Sequence, residues 1–162
     1  MISRTELFRL LRYEPDTGFF FWRVYRSRGA YAGDKAGTIS AHGYVIINIR
    51  KKLYRAHRLA WFYVNGRWPD ADLDHINGVR TDNRWANLRQ ATRSQNNGNS
   101  VAKSTNTSGY KGVYFRKDRD RWSASISLGN KTKNLGVFDT AEAARDAYAL
   151  AARKHFGEFA RL

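Results

Sequence analysis

Residues 73–97 read LDHINGVRTDNRWANLRQATRSQNN. Asp74 and His75 stand side by side near the start, Asn87 follows 12 positions after His75, and Asn96 follows 9 after Asn87. Thr92-Arg93-Ser94-Gln95 is a capping box, in which a Thr hydroxyl and a Gln side chain satisfy opening N–H groups of a helix. Asn96 therefore falls in the first turns of a short helix. Two strand segments around a long polar loop, then that helix, can bring Asp74, His75 and Asn96 together. Adjacent strand residues face opposite ways unless a bulge or strand end re-aims one. A carboxylate and an amide oxygen suit a hard divalent ion such as Mg²⁺, which keeps several waters and binds few protein groups. A neutral His near that ion can take a proton from water. The set matches metal-assisted hydrolysis of a phosphodiester. The plainer reading is that Asn-rich runs are turns and a single His is structural. The combination at these spacings favours the chemical reading.

The composition agrees. Lys and Arg number 29 against 14 Asp and Glu, for a net charge of +15, which attracts polyanions. The charge is spread along the chain: residues 1–100 carry 17 basic and 8 acidic side chains, and residues 101–162 carry 12 and 6. Both halves can therefore meet a phosphate backbone, unlike a neutral body with a basic tail. Aromatics make up 14% of the residues, enough for two small packed cores. Cysteine is absent, which excludes disulfides, thiolate metal sites and a cysteine nucleophile, and fits a reducing cytoplasmic setting. The opening MISRTELFRLLRYEPDTG is charged throughout and reads as neither a signal peptide nor a membrane span.

Outward from the central stretch, Ser3 to Leu11 reads as a capped helix, with Ser3 as N-cap and Glu6 reaching back. Phe19 to Trp22 and Tyr44 to Ile49 suit strands. Tyr54 to Val64 starts strand-like and becomes an aromatic helix closed by Asn65-Gly66. His57, in that segment, is expected to buttress the core or touch a phosphate. Residues 97–109 (NGNSVAKSTNTSG) are almost devoid of apolar side chains and read as a linker. Beyond it come strands over 110–117, 121–128 and 133–138. In the second, Trp122, Ala124, Ile126 and Leu128 share one face and the serines the other. Asp139 is expected to cap a helix with Glu142 completing its box, and Gly157 to end it. The expected fold class is α+β: residues 1–102 as one domain, 103–107 as linker, and 108–162 as a three-stranded antiparallel sheet covered by a helix.

Two resemblances sharpen this. Asp74-His75, Asn87-Leu88-Arg89 and Asn96, with His57-Arg58-Leu59-Ala60 and Tyr13-Glu14-Pro15-Asp16-Thr17-Gly18, resemble the HNH nucleases of the ββα-metal group, closest to the phage and intron-encoded homing type. The resemblance covers roughly residues 1–100. It implies that His75 is the general base, that Asp74 and Asn96 are the ligands of one Mg²⁺ or Mn²⁺ ion, and that Asn87 bridges the strands and holds His75 in orientation. It also implies products with 5′-phosphate and 3′-hydroxyl ends. The final His of the name-giving pattern is replaced here by Asn96, with Asn97 as a rival, and an amide disfavours softer metals such as Zn²⁺.

Ser108-Gly109-Tyr110-Lys111-Gly112-Val113, Arg121-Trp122, Leu135 to Thr140, Glu142-Ala143-Ala144 and Phe156-Gly157 are similar to the AP2-type DNA-binding domain of plant ethylene-response factors. That similarity implies a sheet laid in the major groove. On the exposed face, Tyr114 and Arg116 point away from Val113 and Phe115. Lys117, Arg119, Arg121, Lys131 and Lys133 gather at the turns. The expected whole is a metal-dependent DNA endonuclease of the homing or phage-borne type. It would act on double-stranded DNA as a monomer, without a small-molecule cofactor or membrane, and the second domain would raise the local concentration of the first at its phosphate. Removal of residues 106–162 should then leave residual cleavage. A non-catalytic DNA-binding regulator is the alternative.

Overall fold

In this computed structural model the described residues are 1–102 and 105–162; residues 103 and 104, at the start of the expected linker, lie outside them. The chain divides into two packed units, Met1–Gln90 and Ala91–Leu162.

In the first unit, Ser3 caps helix α1 (Arg4–Leu10), its hydroxyl accepting from the Glu6 N–H at 3.2 Å. The Glu6 carboxylate pairs with Arg50 at 2.7 Å rather than reaching back to the cap. Strands β1 (Leu11–Glu14), β2 (Phe19–Trp22) and β3 (Lys35–Ala36) form one antiparallel sheet. Strands β4 (Thr38–Ile39), β5 (Val45–Ile49) and β6 (Lys52–Arg55) form a second. Arg50 and Lys51, both at positive φ, make the tight turn between β5 and β6. Helix α2 (Ala56–Asn65) follows directly and stops at Gly66 in the left-handed conformation. Leu7, Leu11, Phe20, Ile47, Leu59 and Phe62 form the centre of the core. Strand β7 (Asp72–His75) pairs with β8 (Leu88–Ala91).

One turn aims the loop between β7 and β8. Gly18 adopts φ +74, and a Cβ there would lie 2.4 Å from the backbone of Asn83 and Arg84. Only glycine lets the Pro15–Gly18 turn come so close. The Tyr13 hydroxyl donates to the Asn83 carbonyl at 2.7 Å, and the Trp85 N–H to the Pro15 carbonyl at 2.9 Å. The β1–β2 hairpin is thus a buttress for residues 83–85.

In the second unit, helix α3 (Arg93–Gly98) carries the expected capping box: the Thr92 hydroxyl accepts from the Gln95 N–H, and Gln95 accepts from the Thr92 N–H. Strands β9 (Val113–Arg116), β10 (Arg121–Leu128) and β11 (Lys131–Phe138) form an antiparallel sheet in the order β11-β10-β9. Helix α4 (Ala141–Phe156) covers it through Ala144, Tyr148, Ala152 and Phe156. Several expectations are corrected. The N-cap of α4 is Thr140, whose hydroxyl accepts from the Ala143 N–H, while Asp139 pairs with Arg121 at 3.0 Å. Ser123 is buried alongside Ala124, so the serines do not form one exposed face; β11 bulges opposite this stretch and resets the register. Phe115 is exposed although Val113, two residues earlier on the same strand, is buried, and it packs edge-on against Trp122.

The expected boundary also moves. Helix α3 packs with α4, and Ala91 joins the second core, because the small side of α3 at Gly98 admits the Phe156 ring. Residues read as linker are tied into this unit too. The Asn106 side chain accepts from the Ser108 and Gly109 N–H groups and donates to the Tyr110 carbonyl, all within 2.9 Å.

Candidate active site

Strand β7 ends in two buried polar residues, Asp74 and His75. Burial is costly for such groups unless each is partnered. Asp74 is met by Arg89 of β8, whose Nε and terminal nitrogen both lie 3.0 Å from Oδ2. Both side chains are mostly shielded, so this is a buried ion pair rather than a surface contact.

His75 Nε2 lies 3.2 Å from Oδ1 of Asn83. The Asn83 amide nitrogen donates to the Thr81 carbonyl at 3.2 Å, which turns Oδ1 toward the ring. A carbonyl oxygen only accepts, so Nε2 carries the proton and Nδ1 carries the basic lone pair. Burial lowers the His75 pKa below its ordinary 6.5, partly opposed by the Asn83 bond and by the charge of Asp74. The ring is therefore neutral near pH 7 and able to accept a proton.

Asn87 closes the loop. Its side-chain oxygen accepts from the Asn77 N–H at 3.0 Å, and its nitrogen donates to Asn77 Oδ1 and to the Asp82 carbonyl at 3.0 and 2.8 Å. The Ile76 N–H donates to the Asn87 carbonyl at 2.9 Å. Asp82 adds a latch: it accepts from Asn77 and from Arg84, and the Arg84 bonds pull its pKa down to about 2. Asn87 thus fixes the segment that follows His75, while the amide seen bonded to His75 is that of Asn83. In the sequence Asn83 is one polar residue among several in the long loop between the two strands. Its only local signal was its place after Thr81-Asp82, which is also that of an ordinary turn residue.

Around His75 lie two more rings. The His57 centroid is 5.0 Å away, edge-on, and Tyr44 lies 5.3 Å from His57 and 6.1 Å from His75. His57 is buried, its Nδ1 has no hydrogen-bond partner among the described residues, and burial lowers its pKa to about 3. It is a packed neutral ring on the first turn of α2.

Asn96 sits half-buried in α3, its N–H donating to the Thr92 carbonyl at 2.9 Å, whereas Asn97 is exposed. Lys111 caps this helix: its ammonium donates to the Asn97 and Gly98 carbonyls at 3.2 and 2.6 Å. Among the described residues no group of three or more His, Cys, Asp or Glu could hold a metal ion. The buried Asp74 carboxylate is a hard oxygen donor of the kind that suits a strongly hydrated ion such as Mg²⁺. The Arg89 charge offsets part of the attraction that Asp74 would have for a cation.

On the second unit, Tyr114, Lys117, Arg119, Arg121, Lys131 and Lys133 are all exposed. Arg116 is half-buried and bonded to Asp118 at 3.0 Å. Among the described residues no helix is long and apolar enough to cross a membrane.

Comparison with known proteins places these residues in context. The family described as HNH endonuclease matches residues 54–98, a span that holds His57, Asp74, His75, Asn83, Asn87 and Asn96. "Protein 3.8" of Escherichia phage T7 is 32% identical over 115 residues, covering 68% of this chain and 94% of that protein. A protein of Acanthamoeba polyphaga mimivirus, described as an uncharacterized HNH endonuclease, is 32% identical over 158 residues, covering 90% of this chain and 81% of its own. A solved structure of an HNH homing endonuclease, described for its DNA binding and cleavage, overlaps with a TM-score of 0.39 at 22% identity, over 52% of this chain and 47% of that one.

Proposed function

The chain belongs to the HNH endonuclease family, and on that premise we propose that it is a metal-dependent DNA endonuclease that hydrolyses phosphodiester bonds in duplex DNA. The observation that carries this reading is the buried, neutral His75, held by Asn83 through Nε2. Nδ1 takes the proton of the attacking water, and Asn83 keeps the imidazole in the tautomer that makes Nδ1 basic. Asn87 holds the following loop so that the ring keeps its aim. Asp74 and Asn96 are the proposed metal ligands, and Arg89 fixes the Asp74 carboxylate. When bound, Mg²⁺ or Mn²⁺ would stabilise charge on the phosphate and the departing 3′-oxygen. The products would then carry 5′-phosphate and 3′-hydroxyl ends.

The sheet of the second unit is proposed as an AP2-like DNA-recognition surface, with Tyr114, Arg116, Lys117, Arg119, Arg121, Lys131 and Lys133 as its contacts. Arg116 and Arg121 already grip Asp118 and Asp139, and would exchange those carboxylates for phosphates. The setting is proposed to be the cytoplasm of a host cell, with the chain acting as a monomer.

The test is cleavage of supercoiled plasmid with Mg²⁺, Mn²⁺ or chelator, comparing wild type with His75→Ala. Expected are nicked or linear products that need the metal and lose at least about 10²-fold in rate on loss of the base. An unchanged rate in His75→Ala sinks the assignment. Intact DNA with every metal, together with tight binding, would favour the non-catalytic regulator.

A further inference from the structure

Tyr44 carries two guanidiniums on one ring. The Arg55 carbon Cζ lies 4.8 Å from the ring centroid and that of Arg80 4.9 Å. Arg55 ends β6 at the mouth of α2, and Arg80 comes from the loop after His75. Arg80 is further held by a 2.8 Å bond to the His42 carbonyl. The same Tyr44 ring touches both His57 and His75.

One shared ring sets these two apart. Elsewhere in the first unit, Arg50 pairs with Glu6, Arg84 with Asp82 and Arg89 with Asp74. Among the described residues, neither Arg55 nor Arg80 has a carboxylate partner. Two like charges on one ring repel, and each cation–π contact contributes only about 0.5–1 kcal/mol at an exposed site. Both side chains are exposed, so solvent screens the repulsion without removing it. An anion that meets both guanidiniums offsets the repulsion and adds charge-assisted hydrogen bonds. Guanidiniums match phosphate oxygens in a planar fork, which a lysine cannot do.

We propose that Arg55 and Arg80, held on Tyr44, form a clamp for the phosphodiester backbone of the nucleic acid beside His75. The proposal deepens the nuclease reading and rests on it for the identity of the anion. Arg55 and Arg80 bind substrate phosphate, and Tyr44 is a positioning residue that sets their spacing and their distance from His75. The clamp is independent of base sequence, because phosphates carry none.

The test separates binding from cutting. In a full-length His75→Ala background, affinity for a short DNA duplex is measured by fluorescence anisotropy across a salt series. Arg55→Met and Arg80→Met should each weaken binding about tenfold and reduce the slope of log affinity against log salt by about one. Arg67→Met, which removes an exposed arginine paired with Asp70, should change the slope less. Tyr44→Phe should bind as the parent does, and Tyr44→Leu should resemble loss of both arginines. Should Tyr44→Leu fail to fold, Arg55→Lys with Arg80→Lys serves instead: the charge stays, the fork is lost, and affinity should fall only in part. In chains that keep His75, either arginine variant should raise KM more than it lowers kcat. Affinity and salt slope equal to the parent in both methionine variants overturn the clamp. Arginine-dependent binding by a chain that cuts nothing would uphold the clamp and overturn the nuclease reading. Cleavage indifferent to both arginines would do the reverse.

Discussion

Replacing Gly98 with Ala sets two effects of known size against each other. Gly98 closes α3 without a positive φ, so an alanine fits its backbone, and Ala for Gly in a helix is worth about 0.5–1 kcal/mol. The added Cβ, however, would lie 2.7 Å from Phe156 Cγ and 3.0 Å from Phe156 Cβ and Cδ1. Phe156 is 6% exposed, and its Cβ is fixed to the α4 backbone, so rotation of the ring cannot relieve every contact. Overpacking of this kind costs about 1–3 kcal/mol, so the clash outweighs the propensity gain. The expected net loss is about 1–2 kcal/mol, which lowers the melting temperature of a unit this size by roughly 5–10 °C. Thermal melting by circular dichroism reads the loss, and hydrogen exchange of the α3 amides locates it. Gly98→Ala with Phe156→Leu should recover at least about 0.5 kcal/mol of it, a coupling that a double-mutant cycle isolates. A Gly98→Ala chain that melts at or above wild type would refute the packing argument. Since α3 carries Asn96, a proposed metal ligand, the same substitution should slow cleavage while the His75–Asn83 bond is untouched.

Four further outcomes follow. A chain ending at residue 105 loses Lys111 and Phe156, so α3 should unfold and cleavage should vanish; residual metal-dependent cleavage would restore the separable arrangement expected from sequence. His57, with its pKa lowered to about 3, stays neutral in the fold while the unfolded chain takes a proton below pH 6.5. Its contribution is whole above pH 6.5 and is lost as pH falls toward 3, about 2 kcal/mol by pH 5; His57→Gln should flatten that limb in urea titrations. Asn83→Ala should cost about 1–3 kcal/mol and mix the His75 tautomers, and nitrogen NMR showing pure Nε2–H would contradict the assigned role. Arg89→Met strands the buried Asp74 charge and should cost about 3–5 kcal/mol, most of it recovered by also making Asp74→Asn.

The local elements were readable because their signals are local. A capping box lies within four residues, and Thr92 and Gln95 form theirs as expected. The alternation of β10 and the spacing of α4 likewise mark elements present in the fold. The α4 cap fell one residue away, on Thr140, because Asp139 has a better partner in Arg121, a residue 18 positions earlier that no local pattern weighs. Asn83 was missed for a related reason. Its role depends on the Gly18 turn and the Tyr13 hydroxyl, 70 positions away, which press it against His75.

By itself, the sequence determined the chemistry available: a basic chain without cysteine, an Asp-His pair, spaced asparagines and two runs of strand and helix. These follow from residue type and short-range periodicity, which act before the chain is compact. Only the tertiary structure decided which amide holds His75, that Arg89 neutralises Asp74, that two arginines share Tyr44, and that α3 packs with α4. Each of these is a contact between distant positions, set by packing and by the need to partner buried polar groups.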